Sequence, residues 1–175
     1  MGIEAVKSST PSSCRTKIKE AIKIIMKGTE QDVIDFIEEF REEFKTLSFD
    51  EVAFPRGCNG LSDYRDNNSI YKKGTPIHVR GALVYNKLLA DRGLDNRYET
   101  VKEGEKIKFC YLKTPNPLRE NVVSVVNTLP RQLELDKYID YNLQFTKAFL
   151  DPLKIILDAI GYQTEKKSTL DSFFG

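Results

Sequence analysis

At 175 residues, with 40% hydrophobic and 30% charged side chains, the chain can bury one sizeable core and is too apolar for a disordered segment. Twenty-seven Lys and Arg against twenty-six Asp and Glu leave a net charge of +1, so any argument for a polyanion partner rests on where the charges stand. Three widely spaced cysteines (Cys14, Cys58 and Cys110) and a single histidine supply no zinc ligand set and no disulfide framework. No apolar run reaches membrane-spanning length, and the first eleven residues are too polar for a signal peptide, so the chain reads as cytoplasmic.

In chain order, Lys7 to Pro11 (K-S-S-T-P) opens a helix, with Thr10 as N-cap and Pro11 at the first helical position, where its missing N–H costs nothing. Cys14, Ile18, Ala21, Ile22 and Ile25 recur at helical spacing as far as Gly28, and the lysines off that stripe read as a solvated face. The residues ahead of this helix are more suggestive. Lys7, Ser8, Ser9 and Thr10 bring a cation, hydroxyls and free N–H groups to a helix N-terminus, a corner suited to gripping phosphate. Thr29 and Asp32 form a capping box for a second helix. Its stripe is Val33, Phe36, Ile37, Phe40, Phe44 and Leu47, and its other side is acidic. With acid concentrated there, the remainder of the chain is basic despite the neutral total.

Phe49 to Phe54 alternates as a short strand, and Pro55 to Gly74, rich in Gly, Asn, Asp and Ser, reads as a long loop. That loop delivers Lys72 and Lys73 through a Gly-Thr-Pro turn to a helix running from Ile77 or His78 to Asp91. The helix carries His78 and Arg80 among the apolar positions Ile77, Val79, Leu83 and Val84, so the cations Lys72, Lys73, His78 and Arg80 stand on a packed mount. A lone histidine without a nucleophile or ligands nearby is more often a satisfied core residue than a catalyst. Ile107 to Leu112 and Val122 to Val126 form a hairpin, and Asp136 to Ile160 is helical with a kink or break at Asp151 ahead of Pro152. Beyond Tyr162 the chain turns polar and ends in Leu170-Asp171-Ser172-Phe173-Phe174-Gly175. Leu170, Phe173 and Phe174 on one helical turn make a plug for a hydrophobic pocket. The elements predict a mainly helical α+β domain with a small antiparallel β element.

The segments MGIEAVKSSTP, TPIHVRGALVYNKLL, VKEGEKIKFCYL and EKKSTLDSFFG, in that order and at those spacings, resemble the thumb end of the family B replicative DNA polymerases of T4-like bacteriophages. The likeness spans nearly the whole chain and is weak over Glu51 to Tyr71 and Pro115 to Asp136. It implies a thumb domain over residues 1–162, followed by a flexible tail over 163–175. The thumb would hold the primer–template duplex through Lys7, Ser8, Ser9, Thr10, Lys72, Lys73, His78 and Arg80; Leu170, Phe173 and Phe174 would dock on the sliding clamp. The leading Gln usual in a clamp-binding peptide is Lys167 here. The resemblance also implies an enzyme, a DNA-directed nucleotidyltransferase of the host cytoplasm whose palm holds divalent metal ions. No D-T-D-S-like or S-L-Y-P-like motif and no exonuclease D-x-E occurs in this chain. The chain alone is therefore expected not to polymerise, to carry no catalytic residue and no cofactor, and to be either an excised piece of a polymerase or the product of a split gene whose palm is a separate partner. A protein-interaction module built on the acidic helix and the terminal Phe pair is the rival from another class.

Overall fold

Two amphipathic helices lead the fold in the computed structural model, which describes residues 6–164. Helix α1 (Ser12–Lys27) buries Cys14, Ile18 and Ala21, and α2 (Glu30–Phe44) buries Val33, Ile34, Ile37, Phe40 and Phe44. The Thr29–Asp32 capping box forms as the sequence predicts, with the Asp32 N–H donating to Thr29 Oγ1 at 3.2 Å and the Thr29 N–H to Asp32 Oδ2 at 2.9 Å. Lys17 fixes the packing of the pair, its Nζ lying 5.4 Å from the Phe40 ring centre and 3.4 Å from Glu43 Oε2.

A short helix, α3 (Phe49–Val52), takes the place of the expected strand, because Ser48 and Glu51 cap it reciprocally. Strand β1 (Phe54–Gly57) follows. The expected loop is folded as well, into helix α4 (Leu61–Tyr64) and a two-stranded ribbon, β2 (Arg65–Asp66) with β3 (Ile70–Tyr71). Helix α5 (Ile77–Asp91) has the bounds read from the sequence. Strands β4 (Lys106–Tyr111) and β5 (Val122–Val125) form the antiparallel hairpin, and β1 joins β4 to give the sheet order β1-β4-β5. The last third runs through 3₁₀ turns at Arg131–Leu133 and Asp136–Tyr138, helix α6 (Tyr141–Phe145), a π-helical turn at Thr146–Leu150 and helix α7 (Asp151–Ile160). The architecture is mainly helical α+β. At Asp151 the expected break is absent: the backbone stays helical there (φ −61°, ψ −47°), and the irregularity lies one turn earlier, as a π turn ahead of Pro152.

The two faces of the sheet are covered differently. Lys108 and Cys110 of β4 point toward α3, with Lys108 Nζ 3.8 Å from Asp50 Oδ1. Phe109, between them, points the opposite way, its ring 6.2 Å from that of His78 in α5. Helix α1 packs on α2, α3 and the π-helical turn, and α5 packs on β5. Gly81 permits the close approach of α5, since a Cβ there would stand 2.5 Å from Ser124 Oγ, and Ser124 donates its hydroxyl to the His78 carbonyl at 2.7 Å. Phe40, Phe44, Phe145 and Phe149 cluster at ring separations of 4.9–5.7 Å at the junction of α2 with α6 and the π turn.

All three cysteines are free and buried, and burial pushes Cys14 up to about 12, Cys58 to about 11 and Cys110 well above the usual thiol value. In a thiol titration near pH 8 the native protein should therefore give almost no colour, and all three groups should react once denaturant is added. Rapid modification of the native protein would show that the core opens.

Candidate nucleic-acid interface

Lys72 and Lys73 are exposed, on a turn whose backbone is tightly held. The Lys72 N–H donates to Tyr64 O at 2.8 Å. The Thr75 N–H and hydroxyl both donate to Lys72 O, at 3.3 and 2.5 Å, and Gly74 takes the left-handed conformation (φ 85°) that lets the chain reverse into α5. Neither lysine has a carboxylate in salt-bridge contact among the described residues, so two cations project from a fixed mount as the sequence suggests.

His78 and Arg80 do different work. His78 is half-buried against Phe109, and burial, then the Arg56 charge, lower its pKa below the usual histidine value, opposed by a hydrogen bond to the Gly57 backbone. It is thus neutral at pH 7 and contributes no fixed charge. Because its folded pKa is depressed, the stability linked to it is present above the unfolded value near 6.5 and is lost as pH falls through the folded value. Thermal melts between pH 7 and 5 should show a decline that His78→Gln flattens; an unchanged slope would mean the ring titrates freely. Arg80 is tied into the fold. Its Nη2 donates to Asn121 Oδ1 at 2.5 Å, its Nε lies 3.9 Å from Glu120 Oε2, and its guanidinium sits 5.7 Å from the Tyr71 ring centre. Tyr71 in turn donates its hydroxyl to Glu120 Oε1 at 2.8 Å. The expected phosphate ligand Arg80 is therefore a strut between α5 and the segment before β5.

The other corner is also more closed than expected. Thr10 is only 7% exposed. Its hydroxyl accepts the Lys7 N–H at 2.9 Å, and α1 begins at Ser12 with Pro11 in the cap position, so Thr10 caps its own turn and not the helix. Arg15, a residue the sequence reading did not single out, donates to the carbonyls of Thr10 (3.1 Å) and Ser8 (2.9 Å) and clips that turn onto α1. A positive side chain one turn inside a helix that follows an S-S-T-P segment was the available signal. Lys7 and Ser8 remain exposed and Ser9 is half-exposed. The two cation groups stand ahead of separate helices, the first clipped onto α1 by Arg15 and the second leading into α5. Leu170, Phe173 and Phe174 lie outside the described residues. Among the described residues no group of three or more His, Cys, Asp or Glu is placed to hold a metal ion, and no helix is long and apolar enough to cross a membrane.

The fold has a counterpart among solved structures. Residues covering 83% of the chain superpose, with a TM-score of 0.50 at 12% identity, on 17% of the family B DNA polymerase from the hyperthermophilic archaeon Pyrobaculum calidifontis. At the level of sequence the particular relatives are phage enzymes. The chain is 27% identical over 179 residues to the DNA-directed DNA polymerase of Enterobacteria phage T4 and 28% identical over 179 residues to that of Escherichia phage RB69. These alignments take in 100% and 99% of the chain and 19% of each relative, so the chain spans about a fifth of their length. No protein-family model matches it.

Proposed function

We propose that the chain is the thumb and tail of a phage-type family B DNA-directed DNA polymerase, gripping the duplex behind the primer end through its phosphates while another part of the protein carries the chemistry. The observation that carries this reading is the collinear similarity to the T4 polymerase over 100% of the chain. In it, residues 1–162 form the thumb and 163–175 the tail, and Leu170, Phe173 and Phe174 dock on the sliding clamp, for which the basis is the sequence motif. Of the two cation groups, the Lys72–Lys73 turn suits a polyanion better. It stands by the N-terminus of α5, and its side chains are exposed where Arg80 and Thr10 are engaged.

Phosphate contact without base reading makes binding tolerant of sequence and sensitive to salt. The chain alone should hold duplex DNA weakly, roughly in the 10⁻⁴ to 10⁻⁶ M range at physiological salt. Replacing Lys72 and Lys73 together by Ala should weaken it further and flatten the log–log salt dependence by about 0.9 for each lysine, with thermal stability unchanged. An unaltered slope would remove this turn from the interface. Deleting residues 170–175 should abolish capture by the cognate clamp on a sensor surface and spare duplex binding; clamp capture that survives the deletion rules the tail out.

A further inference from the structure

A row of rings on the α5 side of the sheet is not used by the duplex grip. Phe54 of β1 and Phe109 of β4 are direct cross-strand partners, stacked at 5.1 Å with an interplanar angle of 27°. Tyr111, two residues along β4 on the same face, stands edge-on to both, at 6.0 Å from Phe109 and 6.4 Å from Phe54. A cation closes each end of the row. The Arg56 guanidinium lies 5.9 Å from the Phe109 centre and Lys147 Nζ lies 5.4 Å from that of Tyr111. Arg56 and Lys147 are exposed and have no carboxylate in salt-bridge contact among the described residues; Phe54 and Tyr111 are partly exposed. Helix α5 lies over β5, and its His78 reaches Phe109 of β4 and the Gly57 backbone at the end of β1, which leaves Phe54 and Tyr111 partly exposed beyond it.

From this arrangement we propose that the Phe54–Tyr111 face, bracketed by Arg56 and Lys147, is a second nucleic-acid site, one that takes a short single-stranded segment. The ligand class follows from the chemistry. The partly exposed rings of Phe54 and Tyr111, held in place by the buried Phe109 between them, can stack on open bases, which a duplex does not present, and cations at the two ends match a backbone with a phosphate at every step. A protein partner of ordinary composition would bring carboxylates to the two cations but has no need of the rings between them. The site stands on its own geometry, apart from the duplex reading and the Lys72–Lys73 turn.

The test is fluorescence anisotropy of a labelled twelve-residue oligothymidylate against the full 175-residue chain, with a blunt duplex of the same length in parallel. Tyr111→Ala should weaken oligothymidylate binding about tenfold, within the range seen for loss of one base–aromatic stack, while Tyr111→Phe keeps it. Arg56→Ala with Lys147→Ala, which replaces two exposed side chains, should give a comparable loss and flatten the salt dependence by about 0.7 per cation. Duplex binding should stay within twofold in all three variants, and Lys72→Ala with Lys73→Ala should show the converse pattern. Near-ultraviolet crosslinking of a 5-iodouracil oligonucleotide should map to Phe54 or Tyr111. Oligothymidylate affinity no better than that of the duplex, equal loss of both ligands in Tyr111→Ala, or crosslinks confined to other segments would overturn the assignment.

Discussion

Gln144→Leu should cost about 3 kcal/mol of stability, read as a shift of the urea midpoint at unchanged slope. Gln144 is 0% exposed, and its amide stands where the sheet runs out of strand. The Tyr111 N–H donates to its Oε1 at 2.8 Å, and its Nε2 donates to Val52 O at 2.7 Å, so one side chain joins β4 to the end of α3 just before β1 begins. Leucine matches the volume and offers neither a donor nor an acceptor. Two buried backbone groups would then go unpaired, at about 1–3 kcal/mol each, which outweighs the gain from a more apolar side chain. Gln144→Glu separates the hydrogen-bond account from simple loss of fit. A buried glutamate has its folded pKa raised, so that variant should be most stable at acid pH and lose stability as pH rises through the unfolded value near 4.3. Equal midpoints for the wild-type and Leu proteins would mean that water reaches both backbone groups.

The second large effect is expected at Gly81, and it runs against intrinsic helix propensity. Alanine in place of glycine within a helix ordinarily stabilises by about 1 kcal/mol. Here the new Cβ would stand 2.5 Å from Ser124 Oγ, 3.0 Å from Ser124 N and 3.1 Å from Val122 Cγ2, so α5 must lift off β5 and Ser124 must release the His78 carbonyl. Overpacking costs about 1–3 kcal/mol and the lost hydrogen bond about 1, so the net change is destabilising by roughly 1–3 kcal/mol. Adding Ser124→Ala should recover only part of it, because the backbone nitrogen still blocks the approach. Thermal melts of the single and double variants decide the matter: a stabilised Gly81→Ala would show that α5 has room to move.

Legibility in the sequence followed the length of each pattern. Helix α2 has a capping box and a clean stripe, α5 has a turn before it and an apolar set within it, and β4 and the valine-rich β5 flank a proline-rich connection. Each signal repeats several times within its own element. Between Phe49 and Tyr71 the elements are two to four residues long, too short for any period to show, and their placement depends on partners far along the chain, such as Ile107 opposite Arg56. The Ser48–Glu51 pair starts a helix of a single turn, which the apparent alternation from Phe49 to Phe54 hides. The cations divide in the same way. Type and exposure identified Lys72 and Lys73, whereas the engagement of Arg80 depends on Glu120 and Asn121, some 40 residues away and invisible to local reasoning. Thr10 was misplaced by the cap rule alone, because a one-residue shift of the helix start sends its hydroxyl to a different N–H.

The acidic outer side of α2 has a consequence beyond its own solvation. Asp32, Asp35, Glu39, Glu42 and Glu43 are exposed on this one helix, so acid is concentrated on one part of a molecule almost neutral in sum. Within a screening distance of about 8 Å in physiological salt, that helix turns a polyanion away.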